Sequence, residues 1–190
     1  MSWLGIVRLG LVQACLGSVV VLTSSTLNRV MVVELGFAAV AAGGLVAIYH
    51  AVQVLRPRFG HGSDVGGRRT PWIIGGMAVL TASGVLAAVA VAWMAVNPWA
   101  GMALAAVAYF LIGVGGGAGG TALLALTAAR VAAERRPAAA AILWLMMIMG
   151  FVVTAATAGA LLDPYSHARL VAVVAVVAAT AFVVAVLAVA

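Results

Sequence analysis

The stretch Gly60-His61-Gly62-Ser63-Asp64-Val65-Gly66-Gly67-Arg68-Arg69 sets three charges and four glycines between two long apolar segments. Glycines let a chain turn tightly, and an arginine pair stays in water on one side of a bilayer. The decapeptide therefore reads as a polar hinge between two membrane spans, holding its flanking helices as an antiparallel hairpin.

Composition supports a membrane setting throughout. Hydrophobic residues make up 66% of the 190 and charged residues 7%, against about 45–50% and about 25% in globular proteins. A helical span needs about 20 apolar residues, and six segments qualify: residues 3–26, 37–55, 71–96, 99–129, 138–162 and 169–190. Together they make an all-α integral membrane unit over residues 1–190 and leave no room for a soluble enzyme domain. No small-residue cleavage pattern follows the first span, so it reads as a retained helix rather than a signal peptide. The net charge of +6 comes from arginine alone. Arg8, Arg56, Arg58, Arg68, Arg69, Arg130, Arg135 and Arg136 fall at one set of span ends, and only Arg29 and Arg169 at the other. By the positive-inside rule the first set is cytoplasmic, together with the N-terminus. That distribution argues for lipid rather than nucleic acid as the partner of the positive charge. The single cysteine, Cys15, lies within a span and reads as a small packing residue.

The spans differ in polarity. The third and sixth are nearly all Val, Ala, Leu, Met and Gly, which suits a peripheral, lipid-facing place. The first two carry Gln13, Thr23, Ser24, Ser25, Thr26, His50 and Gln53, which need protein or water partners and so should face inward. In the fourth, Gly113/Gly117, Gly115/Gly119 and Gly116/Gly120 are three overlapping Gly-x-x-x-Gly pairs; close helix packing explains them, as does a flexible substrate-lining stretch. Met146, Met147 and Met149 beside Trp144 make either a soft, adaptable contact or ordinary packing. His50 is the histidine within a span, with Gln53 one turn on and Gly43, Gly44 and Ala47 leaving space beside it. It reads either as a ligand for a bound group or as a histidine bonded to a neighbouring helix. Paired carboxylates within the spans, a nucleophile with a base, Cys/His metal spacings and a phosphate-binding loop are all missing from the sequence, so neither catalysis nor a resident metal is expected.

Gly60, Asp64, Gly67, Arg68 and Arg69 fill the defining positions of the loop between the second and third helices of the major facilitator superfamily, which this chain resembles. More narrowly, Arg8-Leu9-Gly10-Leu11-Val12-Gln13, the stretch from Thr26 to Gly36 containing Asn28, Arg29 and Glu34, and Gly66-Gly67-Arg68-Arg69-Thr70-Pro71 resemble the PucC/LhaA family, the bacteriochlorophyll delivery branch of that superfamily. The resemblance implies the N-terminal six-helix half of a chain roughly twice as long, in a bacterial inner or intracytoplasmic photosynthetic membrane. It implies an antenna assembly factor that brings bacteriochlorophyll to light-harvesting polypeptides or holds them during assembly, with the reaction centre and core antenna complex as further partners. In the loop it implies a conformational latch between Asp64 and the arginines, beside the simpler role of fixing topology. At the outer end, Arg29 and Glu34 are close enough in sequence to neutralise each other. The readings from other classes are a secondary transporter of a small metabolite, disfavoured by the scarcity of mid-span charge, and a structural subunit of a photosynthetic complex.

Overall fold

The computed structural model describes residues 1–65 and 67–190. Six helices long and apolar enough to cross a membrane run along them: α1 Trp3–Glu34, α2 Ala39–Val65, α3 Arg69–Met94, α4 Pro98–Arg130, α5 Ala133–Leu161 and α6 His167–Val189. Their starts follow local chemistry. The side chains of Ser2, Asn97 and Ser166 accept from the backbone N–H groups of Gly5, Ala100 and Arg169 at 3.1–3.3 Å, and Pro98 opens α4 where its missing N–H costs nothing. Gly36, with φ of +68°, breaks the chain between α1 and α2.

One expectation is corrected here. The polar hinge is not a loop throughout: residues Arg56–Val65 are helical, and the next helix begins at Arg69. Gly67 takes the left-handed conformation at φ +62° between them, and Gly66 lies outside the described residues. Helix persists through Gly60 and Gly62 because the segment packs. A Cβ on Gly62 would come within 2.9 Å of the Trp72 ring, and one on Gly60 within 3.4 Å of Thr121. Pro57 leaves its mark one turn earlier, where Gln53–Leu55 tightens into a 3₁₀ turn.

The third and sixth spans are expected at the periphery. Within this six-helix unit 56% of the most apolar stretch of α3 and 33% of that of α6 are buried, against 17% in α2 and 22% in α5. Helix α4 packs on α2 and α3, α1 packs on α5 and α6, and α3 meets α6. Exchanging α1 with α4, α2 with α5 and α3 with α6 maps this set of neighbours onto itself. Close approach rests on missing side chains. A Cβ on Gly76 of α3 would fall on the backbone of Gly119, one on Gly115 would lie 2.5 Å from Leu80 N, and one on Gly150 of α5 would strike the carbonyl of Ala14 in α1.

Helix α1 departs from regular α geometry twice, in π-helical stretches at Leu22–Thr26 and Val30–Glu34 that flank Leu27–Arg29. Such bulges re-aim side chains and concentrate at functional sites. Buried Tyr109 of α4 fixes the first of them by donating its hydroxyl to the Thr23 carbonyl at 2.6 Å.

Candidate functional site: a cavity among α1, α2, α4 and α5

Helical spacing aligns Gln13, Gly17, Val20 and Ser24 along one stripe of α1, and this stripe lines a cavity of about 310 Å³. Its other walls come from Tyr49, His50 and Arg56 of α2, Gly116 and Gly120 of α4, and Trp144, Met147 and Phe151 of α5. The chamber lies between the two least buried helices, α2 and α5. Aromatic rings and a thioether supply an apolar, polarizable wall, and a few polar groups supply orientation. That combination suits a small-molecule site in size and lining.

His50 reaches this cavity; its ring sits edge-on to Tyr49 with 4.7 Å between centroids. Gln53 does not join it. Its amide oxygen instead accepts from Arg56 Nε at 2.6 Å and lies beside Gly117, while its amide nitrogen is buried without a partner. Gly43 and Gly44 have nothing within 4 Å of an added Cβ, so the α2 face leading to His50 is open. The methionines part company as well. Met146 packs against Gly10, Met147 lines the cavity, and Met149 is exposed. Gln13, named in the sequence only as a polar side chain needing a partner, is buried at the cavity wall: its amide nitrogen meets Met147 Sδ at 3.3 Å and its amide oxygen is buried with no partner.

A second cavity, about 540 Å³, opens at the arginine-rich end between the α2–α3 junction and α4. Asp64, Gly67, Arg68 and Arg69 of the signature loop line it, joined by Ser63 and Arg130. Arg69 binds Asp64 Oδ1 through Nη2 at 2.6 Å and Nε at 3.2 Å, and its Nη1 donates to the Ala125 carbonyl at 2.9 Å. One guanidinium thereby ties the junction to α4, a use of the forked donor that lysine could not copy. Gly60 stands back from this cavity against Thr121. At the same end the N-terminal amino group donates to the Arg130 carbonyl at 3.2 Å, and Arg135 lies 5.5 Å over the Trp3 ring.

At the opposite end Arg29 and Glu34 stand 3.9 Å apart, with 62% and 29% of their side chains exposed. Burial and then the Glu34 charge raise the pKa of Tyr165 above its ordinary value. Asn28 is not part of the pair, and its amide oxygen is buried without a partner. No group of three or more His, Cys, Asp or Glu able to hold a metal ion occurs among the described residues.

The fold and these sites define a polytopic helical membrane protein with a cavity among its helices and a basic end where Arg69 ties the α2–α3 junction to α4. The family model described as PUCC protein matches residues 26–190, and the chain belongs to that family. It is 53% identical over 189 residues to the "Bacteriochlorophyll synthase 44.5 kDa chain" of Rhodobacter capsulatus, covering 100% of this chain and 44% of that protein. It is 32% identical to "Protein PucC" of Rhodobacter capsulatus, over 89% of this chain and 39% of that protein. To "Protein PucC" of Cereibacter sphaeroides it is 30% identical, over 93% and 41%. The chain thus spans less than half the length of these curated relatives. No solved structure matches it.

Proposed function

We propose that this chain is a six-helix unit of a major facilitator fold, of the PucC/LhaA branch, that serves light-harvesting antenna assembly in a photosynthetic membrane by handling bacteriochlorophyll without catalysing its synthesis. The observation that carries the reading is the cavity bounded by Gln13, His50, Gly120 and Trp144, an apolar intramembrane chamber with few polar groups between the two least buried helices. A membrane-soluble pigment enters such a chamber sideways from the bilayer or from a partner polypeptide. Family membership and a relative whose name carries bacteriochlorophyll support the cargo. The exchange symmetry of the helix packing supports the fold, since a three-plus-three inverted repeat is the mark of a major facilitator half.

His50 is then the nearest imidazole for the pigment's magnesium. His50→Leu is expected to lower the bacteriochlorophyll that copurifies, or shift its absorption, with membrane insertion intact; an unchanged pigment ratio and spectrum would remove His50 from the site. Orientation follows from the arginines, with the N-terminus and the Asp64–Arg69 latch cytoplasmic. In a Cys15→Ala background, cysteines at exposed His61 and Ala168 should label from opposite faces of the membrane. Labelling of both from one face would sink that topology.

A further inference from the structure

The basic cavity between the α2–α3 junction and α4 carries charge that the Arg69 tie leaves over. Arg69 is neutralised by Asp64 at 2.6 Å, whereas Arg68 and Arg130, both exposed and both lining the same space of about 540 Å³, meet no carboxylate among the described residues. The Thr70 side chain joins this wall, and α3 opens here with no side chain capping its first N–H groups. The cavity therefore offers two uncancelled positive charges, and its acid, Asp64, is already engaged. An anion fits it, and an ammonium group finds no unpaired acid in its walls.

An apolar groove continues from the same place. Pro71 stands in the wall of the basic cavity and also at the start of an open groove of about 320 Å³ on the exposed face shared by α3 and α4. Pro71, Trp72, Gly75 and Val79 of α3 face Val114 and Ala118 of α4 across it. At 1.5 Å per residue it runs about 12 Å from Pro71 to Val79, away from the arginines and into the apolar span. A Cβ on Gly75 would have nothing within 4 Å. Packing therefore does not call for glycine there, although glycine costs a helix up to about 1 kcal/mol relative to alanine, and its missing side chain keeps the groove open.

The groove does not share a wall with the chamber that His50 lines. On α4, Gly113 and Gly117 admit α2 at Val52 and Phe59, and Gly115 and Gly119 admit α3 at Gly76 and Leu80. Val114 and Ala118 fall between those two faces. Gly116 and Gly120, where an added Cβ finds nothing nearer than 3.9 Å, lie about 200° further round the helix, on the chamber side.

We infer that the basic cavity and the groove are one site for an anionic phospholipid, its phosphate held by Arg68 and Arg130 and one acyl chain laid in the groove past Gly75. A basic cavity alone would serve a free phosphate equally well; the groove that continues from Pro71 gives the chain a place and decides for the lipid. A zwitterionic headgroup is the poorer fit, because Arg69 holds the acid that its ammonium would need. Basic pockets between membrane helices take anionic headgroups by the same electrostatics. A lipid seated here joins the α2–α3 junction to α4 alongside Arg69.

The test is native mass spectrometry of the purified protein in detergent, titrated with phosphatidylglycerol or with phosphatidylcholine of the same chains, with glycerol 3-phosphate as competitor. The variants are Arg68→Gln, Arg130→Gln, the two together, Gly75→Leu and, as control, Arg58→Gln, an exposed arginine at the same end. Wild type should prefer phosphatidylglycerol, and each cavity arginine should be worth about fivefold in its binding, the two together about twenty-five-fold. Gly75→Leu should weaken binding with the melting temperature no lower, Arg58→Gln should match wild type, and glycerol 3-phosphate should not displace the lipid. Equal binding of the two lipids, or an equal loss in Arg58→Gln, would reduce the cavity to general surface charge and overturn the site. Displacement by glycerol 3-phosphate would make it a seat for a free anion, and unaltered binding in Gly75→Leu would remove the groove; either overturns the lipid assignment. A wild-type dimer that Gly75→Leu dissociates would give the groove to a second copy instead. Should the double arginine variant fail to fold, the two single variants decide.

Discussion

Tyr109 of α4 donates its hydroxyl to the Thr23 carbonyl of α1 at 2.6 Å, inside the first π-helical stretch, and the ring is 1% exposed. The bond joins the two central helices at the point where α1 leaves regular geometry. It fixes the register of the C-terminal third of α1, including Asn28, Arg29 and Glu34. Tyr109→Phe keeps the packing and strands a buried acceptor, at a cost of about 1 to 2 kcal/mol. The variant should melt lower in detergent than wild type, and an unchanged melting temperature would show that Thr23 is satisfied without Tyr109.

The α3–α4 contact should be the least tolerant of added volume. A Cβ on Gly76 would lie 2.6 Å from Gly119 Cα and 2.8 Å from the Gly115 carbonyl, and overpacking of this kind costs about 1–3 kcal/mol. Gly76→Ala is expected to lower both the yield of folded protein and its melting temperature, while Gly116→Ala leaves both unchanged or raised. Equal effects at the two positions would show that the approach of α3 to α4 at Gly76 is not the tight one.

At the basic end, Arg69 joins the Asp64 carboxylate to the Ala125 carbonyl. With Asp64 about half exposed, the ion pair itself contributes no more than about 1 kcal/mol. Its value as a latch lies in geometry. Arg69→Lys keeps the charge and loses the fork, so protease access to the α2–α3 junction should rise and antenna assembly fall, with insertion and topology unaltered. Full assembly in Arg69→Lys would leave the arginines with topology alone.

The Arg29–Glu34 pair, loose at 3.9 Å and largely exposed on the arginine side, should contribute under about 1 kcal/mol to stability. Arg29→Glu and Glu34→Arg singly are expected to leave the melting temperature near wild type while reducing antenna assembly. The double exchange should restore more assembly than either single change. A double variant no better than the worse single one would mean that the two residues touch a partner separately.

The six spans were legible because about 20 consecutive apolar residues have few other uses, and the arginines marked their ends. The helix through Gly60 and Gly62 was not, since local propensity favours a turn there and only contacts with Trp72 and Thr121 hold it helical. The close packing of α3 on α4 was hidden for a related reason. In a bilayer, lipid and a neighbouring helix are equally apolar, so hydrophobicity cannot separate them, and the better signal was the small residues, Gly76 among them. Of the polar residues of α1 and α2 expected to face inward, Gln13, Ser24 and His50 line the cavity, whereas Ser25 is exposed. Gln13, Gly17, Val20 and Ser24 already had the spacing of one helix face, but nothing in the sequence showed that Gly116 and Gly120 would lie across from it. The π-helical stretches around Asn28 depend on tertiary contacts such as that of Tyr109, which no local pattern announces.

The most direct test of pigment handling is the absorption spectrum of the protein gently purified from photosynthetic membranes, read together with the polypeptides that accompany it. The account predicts bacteriochlorophyll in a fixed ratio to the protein, retained after antenna polypeptides are stripped away and diminished in His50→Leu. Antenna polypeptides copurifying with no pigment beyond their own would contradict it and leave the chain a structural companion of the complex.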